Sequence, residues 1–268
     1  MCSQNFSDKD GELTGIPLQT MMLGEAFIKE VKEYCCSGKF NLPEKFNLLS
    51  LFNKFTENKF YIYFREKNEM DTAKLEVKSN KKDYEEKHMI AALLYFFCPN
   101  EFKELNGKIN ASNLEEKKSF LREGKARNFG MITDNWDGKP HFIHRCFAEY
   151  FAAKWFTDNF RDCEEFISNF LFNTTYEVTR NIFDRMLAVN SEIHDYVLNN
   201  KIHAIKEFLE KKRDINTLDK GGRTALHLAA SYNRSYIQQL LSYPGIDTNK
   251  PDAVLKWTPL RYADKTKP

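Results

Sequence analysis

Apolar residues recur at helical spacing along most of the chain. Over Leu18–Cys36, Met21, Met22, Phe27, Ile28 and Val31 alternate with polar residues such as Glu25 at roughly that period. Pro17 sits in the first turn, where its missing N–H costs nothing, and Ser37-Gly38 marks the end. A second helix is predicted over Leu48–Glu66, with Leu48, Leu51, Phe52 and Phe55 as one stripe and Phe60, Tyr63 and Phe64 continuing it. Pro43 marks the connection before it, and Lys78–Lys82 reads as a charged break after it. A third helix is predicted over Asp83–Phe97, with Met89, Ala92, Leu93 and Phe96 on one face and Pro99 as its stop. A shorter helix over Ser112–Arg122 opens on Ser112-x-x-Glu115, a capping-box pattern.

The period changes near residue 129. Phe129-Gly130-Met131-Ile132 reads as a short strand, Asp134–Pro140 with Asp137-Gly138 as turn chemistry, and Phe142-Ile143 as the return strand. The next helix carries Phe147, Tyr150, Phe151 and Trp155, with Ala148 and Ala152 small enough to admit a close neighbour. Two more helices are predicted over Asp162–Phe172 and Thr175–Val189. No Gly/Ser-rich stretch separates them from the C-terminal part of the chain, so the boundary near residue 175 reads as a packed junction rather than a tether.

Beyond that point the chain repeats itself. Ile193-His194 returns after 33 residues as Leu226-His227, and Asp214-Ile215-Asn216 as Asp247-Thr248-Asn249. Between them lies Gly222-Arg223-Thr224-Ala225-Leu226-His227-Leu228-Ala229-Ala230, and Trp257-Thr258-Pro259-Leu260 opens a third unit. This period and the Thr-x-Leu-His opening resemble ankyrin repeats, in which a turn and two short helices bury their apolar face only by stacking. Helices are expected at about 224–231 and 235–242 as an antiparallel pair, with Leu226, Leu228, Ala229, Ile237, Leu240 and Leu241 buried. Thr224, Leu226, His227, Ala229, Ala230, Leu240, Leu241, Pro259 and Leu260 carry the repeat pattern, and the resemblance gives His227 a structural hydrogen-bonding role between neighbouring turns. It also implies a partner-binding surface at the turn tips and inner helices. Here that surface would include Lys220, Gly221, Arg223, Tyr232, Asn233, Ala253, Leu255 and Lys256. About two and a third repeats are present and roughly three are needed for an independent stack. The repeats should therefore lean on the preceding helices or on further sequence.

Two segments earlier in the chain resemble one family. Leu13-Thr14-Gly15-Ile16-Pro17-Leu18-Gln19 is similar to the G-x-P segment that comes after a NACHT nucleotide-binding core. His141-Phe142-Ile143-His144-Arg145-Cys146-Phe147-Ala148-Glu149-Tyr150-Phe151-Ala152-Ala153 looks like the winged-helix segment of NOD-like receptors and other signal-transducing NTPases. The order of modules most resembles arthropod NACHT–ankyrin proteins. The resemblance implies that Pro17 lies near a nucleotide base and that His144 reaches toward phosphates. No G-x-x-x-x-G-K-[ST] occurs, and Gly124-Lys125 is followed by Ala126, so the phosphate cradle is absent.

The expected fold is therefore mainly α: a helical and winged-helix-like module with one small β-hairpin, then a short ankyrin-repeat stack. Four segments are expected: polar residues 1–12, a helical module over 13–127, winged-helix-like hairpin and helices over 128–175, and a connecting helix plus repeats over 176–268. The expected function is a non-catalytic protein–protein interaction module, resembling the regulatory and sensor portion of a NACHT–ankyrin signalling protein, with innate immunity as the setting the family implies. One alternative is part of a nucleotide-dependent switch whose ATPase core lies in missing upstream sequence, and ATP or ADP enters only if that core is supplied. A second is a truncated or decayed gene product.

Composition adds exclusions. A net charge of +2 supplies no broad basic face for nucleic acid. No run approaches about 18 apolar residues, so no membrane span is expected. Six scattered cysteines without C-x-x-C read as reduced thiols, which points to a cytoplasmic protein. His141-x-x-His144-x-Cys146 has metal-ligand residue types, but one short segment cannot easily converge three ligands, so no metal and no cofactor is expected.

Overall fold

The computed structural model describes residues 17–38, 47–64, 76–106, 111–122, 130–136, 139–232 and 234–266. The polar start at 1–12, Gly15, Pro43, Phe129, Asp137-Gly138 and Asn233 lie outside them, as does the side chain of Ser112. The described chain is mainly helical, with one two-stranded antiparallel sheet. It forms two compact units: residues 1–88 with 117–144, and residues 89–116 with 145–268.

In the first unit, α1 (Pro17–Ala26) packs on α3 (Leu48–Ile62), and Met22, Ala26, Leu51, Phe52 and Phe55 are buried. The helix expected over Leu18–Cys36 is two helices, because Phe27 leaves helical geometry and α2 (Ile28–Ser37) starts after it. The physical reason lies opposite: the Asn58 amide donates to the carbonyls of Glu25 and Ala26 at 3.1 and 3.2 Å, and the Lys54 ammonium lies 4.2 Å over the Phe27 ring. Gly38, at φ 68°, closes α2 by donating its N–H to the Tyr34 carbonyl, a left-handed cap that favours glycine. The Asn47 side chain caps α3 by accepting from the Ser50 N–H at 2.9 Å.

Lys78–Lys82 is no break, since α4 (Glu76–Phe96) runs through it. Lysine is a good helix former, and Lys81 pairs with Glu57 at 2.6 Å while Lys87 pairs with Asp83 one turn away. Pro99 opens α5 (Pro99–Asn106), a helix the apolar pattern did not reveal. Its start is capped by Glu101, whose carboxylate accepts the Cys98 N–H at 2.8 Å. α6 spans Ala111–Arg122.

The hairpin pairs β1 (Ile132–Trp136) with β2 (Lys139–Phe142), from Ile132↔Phe142 to Trp136↔Lys139, with a bulge between Ile132 and Asp134. Residues 134–136 and 139–140, expected as turn, are strand, because the pairing continues to the residues flanking 137–138.

The second unit is built on α7 (Arg145–Asn159), where Phe147, Ala148, Tyr150, Phe151, Ala152, Ala153, Trp155 and Phe156 are all buried. A helix apolar on nearly every side must lie inside the structure. Its one buried carboxylate, Glu149, is paired with Arg145 at 2.9 Å. α8 (Glu164–Phe170) adds Phe166 and Phe170 to a ring cluster with Phe97, Phe156 and Tyr176. α9 (Glu177–Leu187) packs along α7 and buries Thr179, Ile182, Phe183, Met186 and Leu187. Next in the chain are α10 (Glu192–Leu198), α11 (Ile202–Glu210), α12 (Ala225–Ser231), α13 (Ile237–Leu241) and α14 (Pro259–Lys265).

The repeat helices share one apolar cluster that includes Ile193, Val197, Ile205, Phe208, Leu226, Leu228, Ala229, Tyr236 and Leu240. Ile237 is half-buried, whereas Leu241 is 41% exposed. The five-residue α13 turns Tyr236 and Leu240 inward at i, i+4 spacing, which leaves Leu241 beside the stripe rather than on it. Replacing Leu240 with Ala should lower stability by roughly 2–5 kcal/mol. Urea unfolding reads this, and a variant as stable and protease-resistant as the parent would contradict the packing.

Candidate partner-binding site

The repeat region presents two stacked turns. In the first, Asp219 accepts the N–H of Gly221 at 2.8 Å and of Arg223 at 2.9 Å, while its own N–H donates to the Arg223 carbonyl at 2.9 Å. In the second, Asp252 plays the same part for the N–H groups of Val254 (2.5 Å) and Leu255 (2.6 Å), and its N–H donates to Trp257 at 2.9 Å. The second turn is one residue longer, and Lys256 takes φ 57° to accommodate it. The turns touch through the Ala253 N–H, which donates to the Gly221 carbonyl at 2.7 Å. Glycine is required there: a Cβ on Gly222, at φ 68°, would lie 2.9 Å from the Ala253 Cβ.

Each turn is tied to the helix behind it by a histidine. Thr224 donates its N–H to His227 Nδ1 at 3.0 Å, which leaves Nε2–H to donate to the Trp257 carbonyl at 3.2 Å. His194 bonds the Ser191 hydroxyl through Nδ1 at 2.6 Å and the Arg223 carbonyl through Nε2 at 2.8 Å. Burial holds both imidazoles below their ordinary value of 6.5, partly offset by Asp219 for His194 and by Asp252 for His227.

Arg223 corrects the expected surface. It is 1% exposed. Its guanidinium donates through Nε to Asp219 at 2.9 Å, through Nη2 to Asp219 at 2.8 Å, and through Nη1 to Asp184 of α9. The Tyr232 hydroxyl donates to the other Asp184 oxygen at 2.7 Å, so Tyr232 is half-buried and committed inward. Burial opposes the Arg223 charge, but Asp219 and Asp184 outweigh it and raise its pKa well above the usual value. Leu255 also leaves the surface, at 3% exposure, because it comes after Val254 into the apolar interior of the second turn. Leu218 is the exposed apolar residue beside the first turn.

Of the other residues expected at the site, Thr224, Leu226, His227, Ala229, Ala230, Leu240 and Pro259 are buried, and Leu260 is 78% exposed on α14. Lys220 and Lys256 are exposed, and Gly221 and Ala253 form the contact between turns. Pro17 is the first residue of α1 and His144 lies exposed just before α7.

Sequence reasoning missed the aromatic residues beside the turns. Phe172 lies 5.3 Å from Trp257 and 5.7 Å from Tyr262, and the Arg180 guanidinium lies 5.4 Å from both Phe172 and Tyr232. Arg261 stacks on the outer side of this group, 5.4 Å over the Trp257 ring. The Trp-x-x-x-Arg spacing was visible in the chain, but Phe172 is some 85 residues away in sequence.

Among the described residues no group of three or more His, Cys, Asp or Glu converges as metal ligands, and no helix is long and apolar enough to cross a membrane. Residues 193–266 match the family model of ankyrin repeats (3 copies). No curated protein and no solved structure matches the chain. Ankyrin repeats are non-catalytic interaction modules, which suggests a protein partner.

Two outcomes test this geometry. Arg223→Met strands two buried carboxylates and should cost about 3–5 kcal/mol, read by urea unfolding. A loss within experimental error would show that the pair is dispensable. Acid is the second lever. Because the folded-state values of His194 and His227 lie below the unfolded one, the unfolded chain binds protons first as pH falls. Their stabilising contribution is complete above about pH 6.5 and is lost as pH drops below it. His88 in the first unit, lowered to about 4 by burial, adds the same sign. His227→Gln should make the fall in urea midpoint shallower, and an unchanged slope would contradict the assignment.

Proposed function

We propose that this chain is a non-catalytic protein–protein interaction module that binds its partner on the turn side of the ankyrin segment. The observation that carries the reading is how charge is divided there. Asp219, Asp252 and Arg223 are buried within the turns, while Lys220 and Lys256 stand exposed on them. Turn carboxylates withdrawn into backbone hydrogen bonds leave the exposed ammonium groups for a partner.

The finer proposal is that the chain serves as the regulatory and sensor portion of a NACHT–ankyrin signalling protein in the cytoplasm. It is supported by the His141–Ala153 segment, which runs from the hairpin into α7, and by the repeats C-terminal to it. In that role Pro17 and His144 lie near nucleotide only when a separate ATPase core supplies the phosphate cradle. Phosphoryl transfer depends almost wholly on positioning and electrostatic stabilisation, and the chain encodes no P-loop to provide them.

Panning a random-peptide display library on the immobilised chain tests the first proposal. Enriched peptides should bind the folded chain and lose binding to Gly222→Val, which forces the two turns apart. Failure to enrich any peptide would sink it. Calorimetry with Mg-ATP tests the second: no saturable binding is expected at tens of micromolar, a threshold of roughly −6 kcal/mol. Tight binding lost in His144→Ala would favour a nucleotide switch instead.

A further inference from the structure

Several basic residues of the repeat region are paired: Lys201 with Asp195, Lys211 with Glu207, and Arg213 with Glu192. Three on the turn side are not. Among the described residues, no carboxylate lies within ion-pair distance of Lys220, Lys256 or Arg261. Lys256 donates only to the carbonyl of Ala253 in its own turn, at 3.1 Å, and Arg261 stacks on Trp257. The acids of these turns are withdrawn: Asp219 and Asp252 are buried and accept backbone N–H groups.

Contacts join the segments that carry the three cations into one strip. Lys220 precedes Gly221, whose carbonyl joins the first turn to the second; Lys256 and Trp257 close the second turn; and Arg261 lies over Trp257. Stacking fixes the plane of a guanidinium and leaves its N–H edge free, a fork that matches a carboxylate bidentately. The Trp257 ring is itself packed against Phe172 and Tyr262. Rigid aromatic and arginine side chains are the types that dominate binding energy at interfaces.

We propose that this strip binds an acidic peptide segment of a partner protein, with one carboxylate seated on Arg261 and others near Lys256 and Lys220. The inference rests on the partner-binding reading above and adds the chemistry of the partner. A nucleic acid fits less well, because three cations at the edge of a chain with net charge +2 do not make a continuous phosphate track.

The test is fluorescence anisotropy with the full chain and three labelled probes: a peptide of alternating Glu and Tyr, its Gln-for-Glu counterpart, and oligothymidylate. The Glu peptide should bind and weaken with added salt, and the other two should not. Arg261→Met, with an unchanged melting midpoint, should weaken binding about tenfold, the loss of one charge-assisted pair. Lys256→Glu should weaken it in the same direction. Equal binding of the Gln peptide overturns the acidic specificity while leaving peptide binding intact. Equal binding of oligothymidylate overturns it in favour of a general anion surface. No binding of the Glu peptide, or binding unaffected by Arg261→Met, overturns it outright.

Discussion

The Arg223 guanidinium sits almost without solvent between Asp219 of its own turn and Asp184 of α9. A buried charge is tolerable only when it is paired and its donors are used. The neighbourhood meets that demand: Asp219 accepts four N–H contacts from the turn, Tyr232 donates to Asp184, and the Lys220 N–H donates to the Leu187 carbonyl at the end of α9. The same contacts shape the first turn and dock the repeats on the preceding helix. Through the Arg223 carbonyl they also orient His194, and through the Gly221 carbonyl they position the second turn. The repeats gain a neighbour in this way, as each unit of such a stack buries its apolar face only against another. Its α9 partner is in turn held along α7.

This constraint explains why the partner surface is narrower than the repeat pattern suggests. Asp219 of the same turn and Asp184 of α9 together hold Arg223 inward, and Tyr232 donates to Asp184 beside it. Lys220, Lys256 and Arg261 remain outside, with Leu218 and Leu260 also exposed and Trp257 half-buried. The proposed binding role is thus displaced toward the second turn and α14, where, among the described residues, no carboxylate pairs with Lys256 or Arg261.

Local chemistry was legible in the chain. The 33-residue echo located the repeats, and the apolar density of Phe147–Trp155 announced a helix that admits a close neighbour. Long-range chemistry was not. Nothing near Arg223 in sequence reveals Asp184, 39 residues earlier, and nothing near Trp257 reveals Phe172. The misplaced boundaries have the same origin. Lys78–Lys82 looked like a break because charge was read as loop, although Lys81 finds Glu57 across the fold. The single helix over Leu18–Cys36 divides because Asn58, on another helix, takes its carbonyls. Pro99 looked like a stop and is a start, a distinction decided by Glu101 reaching back to the Cys98 N–H.

The central claim is that α9 and the repeats form one cooperative unit joined at Arg223. Native-state hydrogen exchange under increasing urea measures it most directly. Amides of α9 and of α12 should open with one free energy and one urea dependence, because breaking either side exposes the same buried charges. Exchange of α12 through an opening that leaves α9 fully protected would contradict it, and would make the repeats an independent stack.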